Sequence, residues 1–274
     1  MAIDVIPQTA ALGAEIRGVD LSASISDSVF SEINDAFLAH QVIFFRGQTI
    51  PPKSYVEFGQ QFGELIEYMF MEGIRGHPNI TEIVKTETSK ESFGSFWHSD
   101  STYLERPPKA TLLYAREVPV RGGDTIFADM YAAYESLSDG MKELLLPLSA
   151  VYSADLFDRS TDQYDDMQGR NQAKKITQTL HPVIRTHDET GKKSLYVNET
   201  HTKCLEGMNR EESLAILSYL FDHVKKPEIS FRLRWEENTL TIWDNRCTQH
   251  YALNDYHGQR RVMHRVIAQG GVPH

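Results

Sequence analysis

The chain has 274 residues, and its content of 41% hydrophobic and 24% charged residues is typical of a globular protein, which excludes a collagen-like or largely disordered chain. Its 28 basic and 38 acidic residues give a formal net charge of −10, which argues against nucleic acid as a partner. A local cluster of arginines can still bind a small anion. The apolar runs are too short for a transmembrane helix, so we expect no membrane partner.

The sequence predicts one domain over residues 1–274, because it contains neither an internal repeat nor a Gly/Ser-rich linker. Residues 1–7 lack the basic and then apolar pattern of a signal peptide. Two cysteines, Cys204 and Cys247, are too few for a disulfide framework. These features favour a cytoplasmic location.

The first predicted elements are a helix followed at once by a strand. Residues 27–40 place Phe30, Ile33 and Phe37 at helical spacing, which predicts an amphipathic helix. Residues 41–45 are β-branched and aromatic, which predicts a buried strand.

The middle of the chain is predicted to contain two strands and a helix. Residues 109–115 and 124–127 have the composition of strands, and Gly122 with Gly123 is a turn signal between them. Residues 131–146 are predicted to form one continuous helix.

A further helix is predicted over residues 210–224. Leu214, Leu217 and Phe221 would lie on one face, and the helix should end before Pro227.

After this helix the pattern changes to strands. Residues 239–243 and 260–268 are predicted strands, and residues 236–238 are a predicted turn. Another strand is predicted from the alternation of Ile229, Phe231, Leu233 and Trp235 with polar residues. Many short strands with a few helices predict a mainly β (α+β) fold with helical insertions around a jelly-roll core.

Two segments, residues 67–96 and 155–179, have no clear periodicity and are predicted to be irregular. Long irregular segments in a compact domain are often lids or binding loops, and a lid is our hypothesis for both. Disorder is an alternative with which the sequence is equally compatible.

A metal site is suggested by two histidines and one aspartate. His98 and Asp100 are two residues apart, so both side chains project to the same side of an extended segment, and Trp97 would partly desolvate them. Such a triplet also occurs by chance at protein surfaces. His250, which follows a predicted strand, is a candidate third ligand, although a lone histidine is more often structural. Two histidines and one carboxylate leave positions open on Fe(II) and suit oxygen chemistry.

An anion site is suggested by the strand over residues 260–268. Arg261, Met263 and Arg265 would share one face of that strand. Two inward arginines require anionic partners, and each guanidinium could bind one acidic group through two hydrogen bonds. The alternative is a solvated basic edge strand that protects the sheet from aggregation.

With these residues in place, the chain resembles the taurine dioxygenase/2,4-dichlorophenoxyacetate dioxygenase (TauD/TfdA) family of Fe(II)/2-oxoglutarate enzymes over almost its whole length. The motifs that carry the resemblance, in order, are LGAEI at 12–16 with GVDL at 18–21, WHSDST at 97–102, GGDT at 122–125, WDNRCTQHY at 243–251 and QRRVMHR at 259–265.

The resemblance implies a double-stranded β-helix (jelly roll) with Fe(II), 2-oxoglutarate and O2 as cofactor and co-substrates. It implies that the metal ligands, which are also the catalytic residues, are His98, Asp100 and His250. It further implies that Arg261 and Thr125 bind the distal carboxylate of 2-oxoglutarate and that Arg265 faces the anionic group of a small organic substrate. Family members form dimers or tetramers, so a homo-oligomer is expected.

The residues at the substrate positions differ from those of the taurine enzymes. Alignment with that family places Tyr68 where a histidine holds the sulfonate, and places Met71 and Gly94 near the amine. Ser101, in the metal motif, is a further candidate for substrate contact. The apolar wall around Tyr68 favours a larger anion, which is an alkyl sulfate, a longer sulfonate or an aryloxyalkanoate, over taurine; Tyr68 is equally compatible with a core position.

The rival functions explain fewer of these residues. A zinc hydrolase or an inactive anion-binding jelly roll could use the same ligands, but the former leaves the paired arginines unexplained and lacks a His-Glu-x-x-His motif. Cys247 and His264 are interpreted as structural residues. Asn198 and Glu199 either line the pocket or end a strand.

Overall fold

A computed structural model of the chain describes residues 3–154 and 178–274. The elements of the first part of the chain are β1 (Asp4–Pro7), β2 (Ala14–Arg17), α1 (Asp27–His40), β3 (Val42–Phe45), α2 (Pro52–Gln60), β4 (Gly73–Ile74), β5 (His77–Lys85), β6 (Pro108–Glu117), β7 (Thr125–Asp129), α3 (Met130–Glu135), α4 (Asp139–Leu145) and β8 (Ser149–Ser153). After residue 177 come β9 (Gln178–Pro182), β10 (Ile184–Thr186), β11 (Lys193–Leu195), β12 (Thr202–Leu205), α5 (Arg210–His223), a 3-10 turn (Pro227–Ile229), β13 (Ser230–Leu233), β14 (Leu240–Asp244), β15 (Thr248–Ala252) and β16 (Arg261–Gln269).

Two sheets form the core of the fold. Within the described residues, the larger sheet has the strand order β1-β2-β3-β14-β6-β16-β5-β4, and a smaller sheet has the order β13-β7-β15. Apolar side chains of both sheets pack together, among them Phe44, Met263 and Trp243 from the larger sheet and Phe127 and Phe231 from the smaller one. The two sheets therefore face each other, which confirms the predicted jelly roll.

Helices cover the outer faces. The far side of the larger sheet packs against α1 and α2 through residues such as Phe37 and Phe58. A separate core joins α3, α4 and α5 to β8, with Leu217 and Tyr152 buried in it. The space between the two sheets is therefore left to the strands and the loops that connect them.

The first predicted helix is confirmed at the predicted bounds. The hydroxyl of Ser26 accepts a hydrogen bond from the backbone N–H of Val29 at its start. At its end Gln41 takes a positive φ of 64°, which turns the chain directly into β3. Ile33 and Phe37 are buried as predicted.

The prediction of one helix over residues 131–146 is wrong. The structure has two short helices, α3 and α4, and the break falls at residues 136–138. Ser138 starts the second helix, since its hydroxyl accepts a hydrogen bond from the N–H of Met141. A serine cap satisfies helix N–H groups that a continuous helix would bond internally, so the sequence favours a restart here.

The helix over residues 210–224 is confirmed as α5, but its predicted buried face is partly wrong. Asn209 and Glu212 form a capping box at the N-terminus. Leu214 is 45% exposed, whereas Leu217 is buried. The helix is rotated because the Ser213 hydroxyl accepts a hydrogen bond from the backbone of Leu205 in β12.

The segment over residues 67–96 is less irregular than predicted. Strand β5 lies within it and pairs with β16 in the larger sheet. The predicted segment over residues 155–179 lies outside the described residues, apart from 178 and 179, which belong to β9. Among the residues described, no helix combines the length and the apolar surface needed to cross a membrane.

A buried network of charges holds the turn between β14 and β15. Both carboxylate oxygens of Asp244 accept hydrogen bonds from the guanidinium of Arg246, at 2.8 and 2.7 Å. His187 Nδ1 accepts two backbone N–H groups, so its Nε2 carries the proton and donates to Asp244 at 3.0 Å. Burial alone would raise the pKa of the Asp244 carboxyl, but Arg246 and His187 lower it below its usual value. The carboxylate is therefore ionised and fully paired.

Replacing Asp244 by asparagine should destabilise the fold strongly. The change leaves the 2%-exposed Arg246 without its main partner, and loss of one member of a buried pair costs about 3 kcal/mol. Urea unfolding measures the difference. The matched control is Asp222→Asn, which breaks the exposed Asp222–Lys225 pair and should cost less than about 1 kcal/mol. Equal effects of the two substitutions would show that the network does not hold the turn.

Candidate active site

A cavity opens between the two sheets and collects residues from strands and loops that are distant in sequence. Its lining residues are Ile83, Phe93, Gly94, His98, Asp100, Leu113, Thr125, Trp243, His250, Ala252, Arg261 and Arg265. The two halves of the predicted metal motif and both predicted arginines thus meet in one place.

A backbone bridge joins the two histidines. The N–H of His98 donates to the carbonyl of His250 at 3.1 Å, and the N–H of His250 donates back at 2.8 Å. Beside the bridge, the Ser99 hydroxyl donates to the carbonyl of Thr248 at 2.7 Å. The loop that carries His98 is therefore fixed to β15, and the imidazole rings lie 4.1 Å apart.

The hydrogen bonds of His98 determine which of its nitrogens can bind a metal. Nδ1 lies 2.6 Å from the carbonyl of Phe96, which can only accept, so Nδ1 carries the proton. Nε2 then offers a lone pair, and it lies 3.7 Å from Oδ1 of Asp100. Donation from the second nitrogen to an acceptor is the usual way in which a protein orients a histidine ligand.

Asp100 is oriented by a chain of neutral hydrogen bonds. Its Oδ2 accepts from the hydroxyl of Thr111 at 2.7 Å, and its backbone N–H donates to the Asn245 side-chain oxygen at 3.1 Å. The Asn245 amide in turn donates to the Thr111 hydroxyl at 2.8 Å. Oδ1 remains directed at the histidines.

Burial and mutual charge set the protonation states of the three groups. Burial, followed by repulsion from His98, lowers the pKa of His250 to about 3, and burial also lowers the pKa of His98. Burial alone would raise the pKa of the Asp100 carboxyl, but the facing His250 and Arg265 lower it below its usual value. Neutral imidazoles and an ionised carboxylate are the forms that bind a divalent metal.

Arg261 and Thr125 lie together at one part of the cavity wall. Arg261 is 6% exposed, and its Nε has no hydrogen-bond partner in the described structure. Its guanidinium carbon lies 5.5 Å from the centre of the Trp235 ring, and Trp235 donates to the Thr125 hydroxyl oxygen at 3.0 Å. That bond leaves the Thr125 proton free to donate elsewhere.

Arg265 is held by aromatic rings on the same face of β16. Its guanidinium carbon is 4.1 Å from the centre of the Tyr68 ring and 5.2 Å from that of Phe93. Nη1 is 3.9 Å from Oδ1 of Asp100. Nε and Nη2 have no hydrogen-bond partner among the described residues, although the side chain is almost completely buried. The edge that matches a bidentate anion is therefore open.

The donor set fits a non-haem iron with an anionic co-substrate. Two imidazole nitrogens and one carboxylate oxygen lie within 4.8 Å of one another, and two histidines with one carboxylate are the donor set typical of non-haem Fe(II) oxygenases. Within the described residues, the buried Nε atoms of Arg261 and Arg265 have no hydrogen-bond partner, so they require acceptors, which acidic ligands would supply.

Comparison with known proteins agrees with this geometry. Residues 4–267 match the family described as taurine catabolism dioxygenase TauD, TfdA family. The chain belongs to this family. It is therefore a 2-oxoglutarate-dependent non-haem iron dioxygenase, which uses Fe(II), 2-oxoglutarate and O2.

Individual relatives match over nearly the whole chain. An alkylsulfatase of Acinetobacter baylyi is 35% identical over 96% of this chain and 84% of its own length. An alpha-ketoglutarate-dependent sulfate ester dioxygenase of Pseudomonas putida is 34% identical over 100% of this chain and 91% of its own length. The crystal structure of a taurine dioxygenase from Burkholderia xenovorans superposes with a TM-score of 0.85 at 32% identity, covering 100% of this chain and 91% of that one.

Of the other predicted substrate residues of this TauD/TfdA dioxygenase, Gly94 lines the cavity, whereas Tyr68, Met71 and Ser101 do not. Gly94 has a φ of +80°, and a Cβ there would lie 3.2 Å from Cε1 of His98, so a larger residue would press on that ring. Tyr68 stacks on Arg265. Ser101 accepts a hydrogen bond from the Tyr103 hydroxyl at 3.2 Å.

Several residues of the site were not predicted. Thr111 and Asn245 orient Asp100, and Phe93 covers Arg265. A signal for Thr111 did exist, since it is a polar residue inside the apolar strand β6. The Phe93 contact has no comparable signal, because it depends on how a loop folds over the sheet.

Asn198 and Cys247 make contacts within the protein that are typical of structural residues. Asn198 donates to the Thr102 hydroxyl at 3.0 Å and does not line the cavity. Cys247 is buried, and burial raises the pKa of its thiol well above the usual value, which disfavours the reactive thiolate. With His187 and Asp244 it forms a second cluster of donor atoms, but the hydrogen bonds of that cluster are already satisfied within the chain.

Replacing Thr111 by valine should weaken divalent metal binding about tenfold, because Asp100 loses a hydrogen bond that orients it. Calorimetric titration with Mn(II) measures the affinity. Thr241→Val is the matched control: Thr241 is also fully buried in the larger sheet, but its hydroxyl has no partner among the described residues. That control should bind metal as the wild type does. Equal affinities for all three proteins would contradict the role of Thr111.

Proposed function

We propose that this dioxygenase oxidises sulfate esters of alcohols that carry an apolar chain. The observation that carries the proposal is the open, buried Nε–Nη2 edge of Arg265 beside the proposed metal ligands. The similarity to an alkylsulfatase and to a sulfate ester dioxygenase, each over nearly the whole chain, supports the same substrate class.

In this proposal the metal is held by His98, Asp100 and His250. The lone pair of His98 Nε2 and the Oδ1 atom of Asp100 face the same space, which supports both as ligands. Bound Fe(II) with 2-oxoglutarate and O2 supplies the oxidation of a substrate C–H bond, with succinate and CO2 as products. The protein supplies orientation and a site shielded from water.

Arg261 and Thr125 are proposed to bind the distal carboxylate of 2-oxoglutarate. Both line the cavity, and the Thr125 hydroxyl has its proton free because Trp235 donates to its oxygen. A guanidinium and a hydroxyl can together bind both oxygens of one carboxylate.

Arg265 is proposed to bind the sulfate group of the substrate. The rings of Tyr68 and Phe93 cover the guanidinium, so a ligand has to approach its edge. Two parallel N–H donors match two oxygens of a sulfate. Because Arg265 lies close to Asp100, a bound sulfate would hold the adjacent carbon of the ester near the metal.

Taurine fits the cavity poorly. An ammonium group needs an acceptor, and the only acidic side chain among the described lining residues is Asp100, a proposed metal ligand. The remaining wall includes the apolar Ile83, Phe93 and Leu113. An apolar chain can bury against this wall with a favourable free energy of about 25 cal/mol per Å².

The products follow from where the oxygen is inserted. Hydroxylation of the carbon that bears the sulfate converts R–CH2–OSO3− into R–CH(OH)–OSO3−, while 2-oxoglutarate and O2 become succinate and CO2. The hydroxylated ester then breaks its C–O bond to sulfate and releases an aldehyde and hydrogen sulfate. One aldehyde should form for each succinate.

The metal and co-substrate assignment is tested by anaerobic titration. Wild-type protein with Fe(II) should develop a weak visible charge-transfer band when 2-oxoglutarate is added. His98→Ala should abolish the band because a proposed ligand is lost. A band of unchanged intensity in the variant would sink the assignment of His98.

The substrate class is tested by measuring succinate and aldehyde with a panel of alkyl sulfates, alkyl sulfonates, aryloxyalkanoates and taurine. Alkyl sulfates should give the highest kcat/KM. Arg265→Met should lower kcat/KM for them at least about 100-fold, since a buried charge-assisted pair is worth about 3 kcal/mol. The affinity for 2-oxoglutarate should change little. The reverse pattern would mean that the roles of Arg261 and Arg265 are exchanged, and a preference for taurine would overturn the substrate class.

Aryloxyalkanoates are the second candidate, and one observation favours them. Tyr68 contacts Phe93 and Phe70 edge to face, with ring centres 6.3 and 5.5 Å apart, and Phe70 contacts Tyr103 at 6.1 Å. Of these rings Phe93 lines the cavity, and a flat aryl group could stack on it. The same panel separates the two candidates.

Four further predictions belong with this proposal. We propose that the chain forms one domain, that it assembles as a homodimer or homotetramer, and that it works in the cytoplasm. The residues of 67–96 on either side of β5 are proposed to close over the cavity, since Tyr68 and Phe93 lie against Arg265. Light scattering gives the assembly state, and protection from proteolysis on substrate addition tests the closure.

A further inference from the structure

Two basic side chains lie side by side on adjacent strands at one part of the cavity. Lys85, the last residue of β5, is the direct partner of Arg261 in the antiparallel pairing of β5 with β16. Residues directly opposite each other project to the same face, with Cβ atoms about 5 Å apart. Lys85 therefore stands beside the arginine that the proposed function assigns to 2-oxoglutarate.

The ammonium group of Lys85 is buried and lacks a counter-ion at hydrogen-bonding distance. The residue is 4% exposed, and within the described part of the chain its Nζ has no hydrogen-bond partner. Nζ lies 4.3 Å from the centre of the Tyr256 ring, which stabilises a cation without neutralising it. Glu91 attracts it electrostatically but forms no ion pair with it in the described structure.

Tyr256 connects Lys85 to Arg261. Its ring, 1% exposed, takes the ammonium on its face, and its hydroxyl interacts with the Arg261 guanidinium. The hydroxyl is also 2.9 Å from that of Ser92, which fixes the ring. The two cations are thus held in place by a neutral residue, and neither charge is cancelled.

Like charges directly opposite each other on a sheet destabilise it, and burial increases the repulsion. The nearest attracting carboxylates, Glu91 for Lys85 and Asp124 for Arg261, form no ion pair with them in the described structure, and Asp124 is paired with Arg232. An anion that entered the cavity beside Arg261 would therefore gain from both positive charges. The pair of cations would be tolerated for the same reason that strain is tolerated at binding sites.

We propose that Lys85 is a positioning residue of the co-substrate site, whose charge acts with Arg261 on the distal carboxylate of 2-oxoglutarate. The inference rests on the proposed role of Arg261. Lys85 acts through the field and through Tyr256 and does not line the cavity itself. Its effect is therefore specific for the charge at the far end of the co-substrate, and the keto acid end bound at the metal should not sense it.

The test compares two co-substrates with Mn(II)-loaded protein by calorimetry. 2-Oxoglutarate carries the distal carboxylate, whereas 2-oxovalerate has the same chain length and lacks it. Lys85→Met, which keeps the length and apolar stem of lysine, should weaken 2-oxoglutarate binding about tenfold, as expected for loss of one charge interaction that acts without direct contact. The affinity for 2-oxovalerate should stay within about twofold.

Lys142→Met is the matched control. Lys142 also stacks on a tyrosine, with Nζ 5.2 Å from the Tyr134 ring centre, but it belongs to α4 in a separate core. This substitution should leave both affinities unchanged. Lys85→Arg, which keeps the charge, should restore most of the preference for 2-oxoglutarate. If Lys85→Met does not fold, Lys85→Gln provides the same comparison, and Glu91→Gln should tighten 2-oxoglutarate binding.

The outcomes are distinct. Selective weakening of 2-oxoglutarate, reversed by arginine, supports the proposal. Equal weakening of both co-substrates, or no weakening of either, overturns it and leaves Lys85 as a structural residue. If Glu91→Gln weakens 2-oxoglutarate, the electrostatic basis is wrong. Failure of the wild-type protein to prefer 2-oxoglutarate over 2-oxovalerate would instead contradict the proposed function of Arg261.

Discussion

The pair of backbone hydrogen bonds between His98 and His250 is the constraint on which the site depends. It joins a loop of the first half of the chain to β15 in the smaller sheet, and it brings the two imidazoles to 4.1 Å. A side-chain contact could not achieve this, because two rings that both offer lone pairs gain little from each other without a metal. The backbone bridge preorganises the donors before any ligand arrives, so binding does not have to order the loop.

The charged residues around that bridge are of two kinds: some are paired with each other, and others keep donor atoms without partners in the described structure. The turn that leads into β15 is held by Asp244 and Arg246, which neutralise each other within hydrogen-bonding distance. Arg261 and Arg265, on β16, keep nitrogen atoms without partners in the described structure. The first arrangement gives stability and a fixed position. The second arrangement is expected to lower the stability of the free chain and to favour the binding of anions, as is common at functional sites.

The sequence predicted the elements whose buried faces follow a simple periodicity and missed elements or breaks where polar residues interrupt that periodicity. The helix at 27–40 and the alternating strand that became β13 were recovered because a simple periodicity describes their buried faces. Strand β5 was missed because Thr81 and Lys85 occupy buried positions alongside Ile83, which conceals the alternation. The break between α3 and α4 was missed because apolar residues continue across a serine cap. The candidate ligands were named from short motifs, but the orientation of Asp100 by Thr111 and Asn245 depends on strand register. The polar Thr111 inside an apolar strand was a local signal, but it does not give the partner.

Strand register also explains how one face can handle two acidic ligands. Arg261 and Arg265 lie four residues apart on β16, so their side chains project to the same side about 13 Å apart along the strand. Arg265 is covered by aromatic rings and presents an edge, whereas Arg261 lies beside Lys85, which the pairing of β5 with β16 places opposite it. An aromatic cover suits an anion with an apolar body, and an additional positive charge suits a co-substrate with two carboxylates. The two ends of the same strand could therefore distinguish two anions because their surroundings differ in polarity, although the proposed anion-binding residue is an arginine in both places.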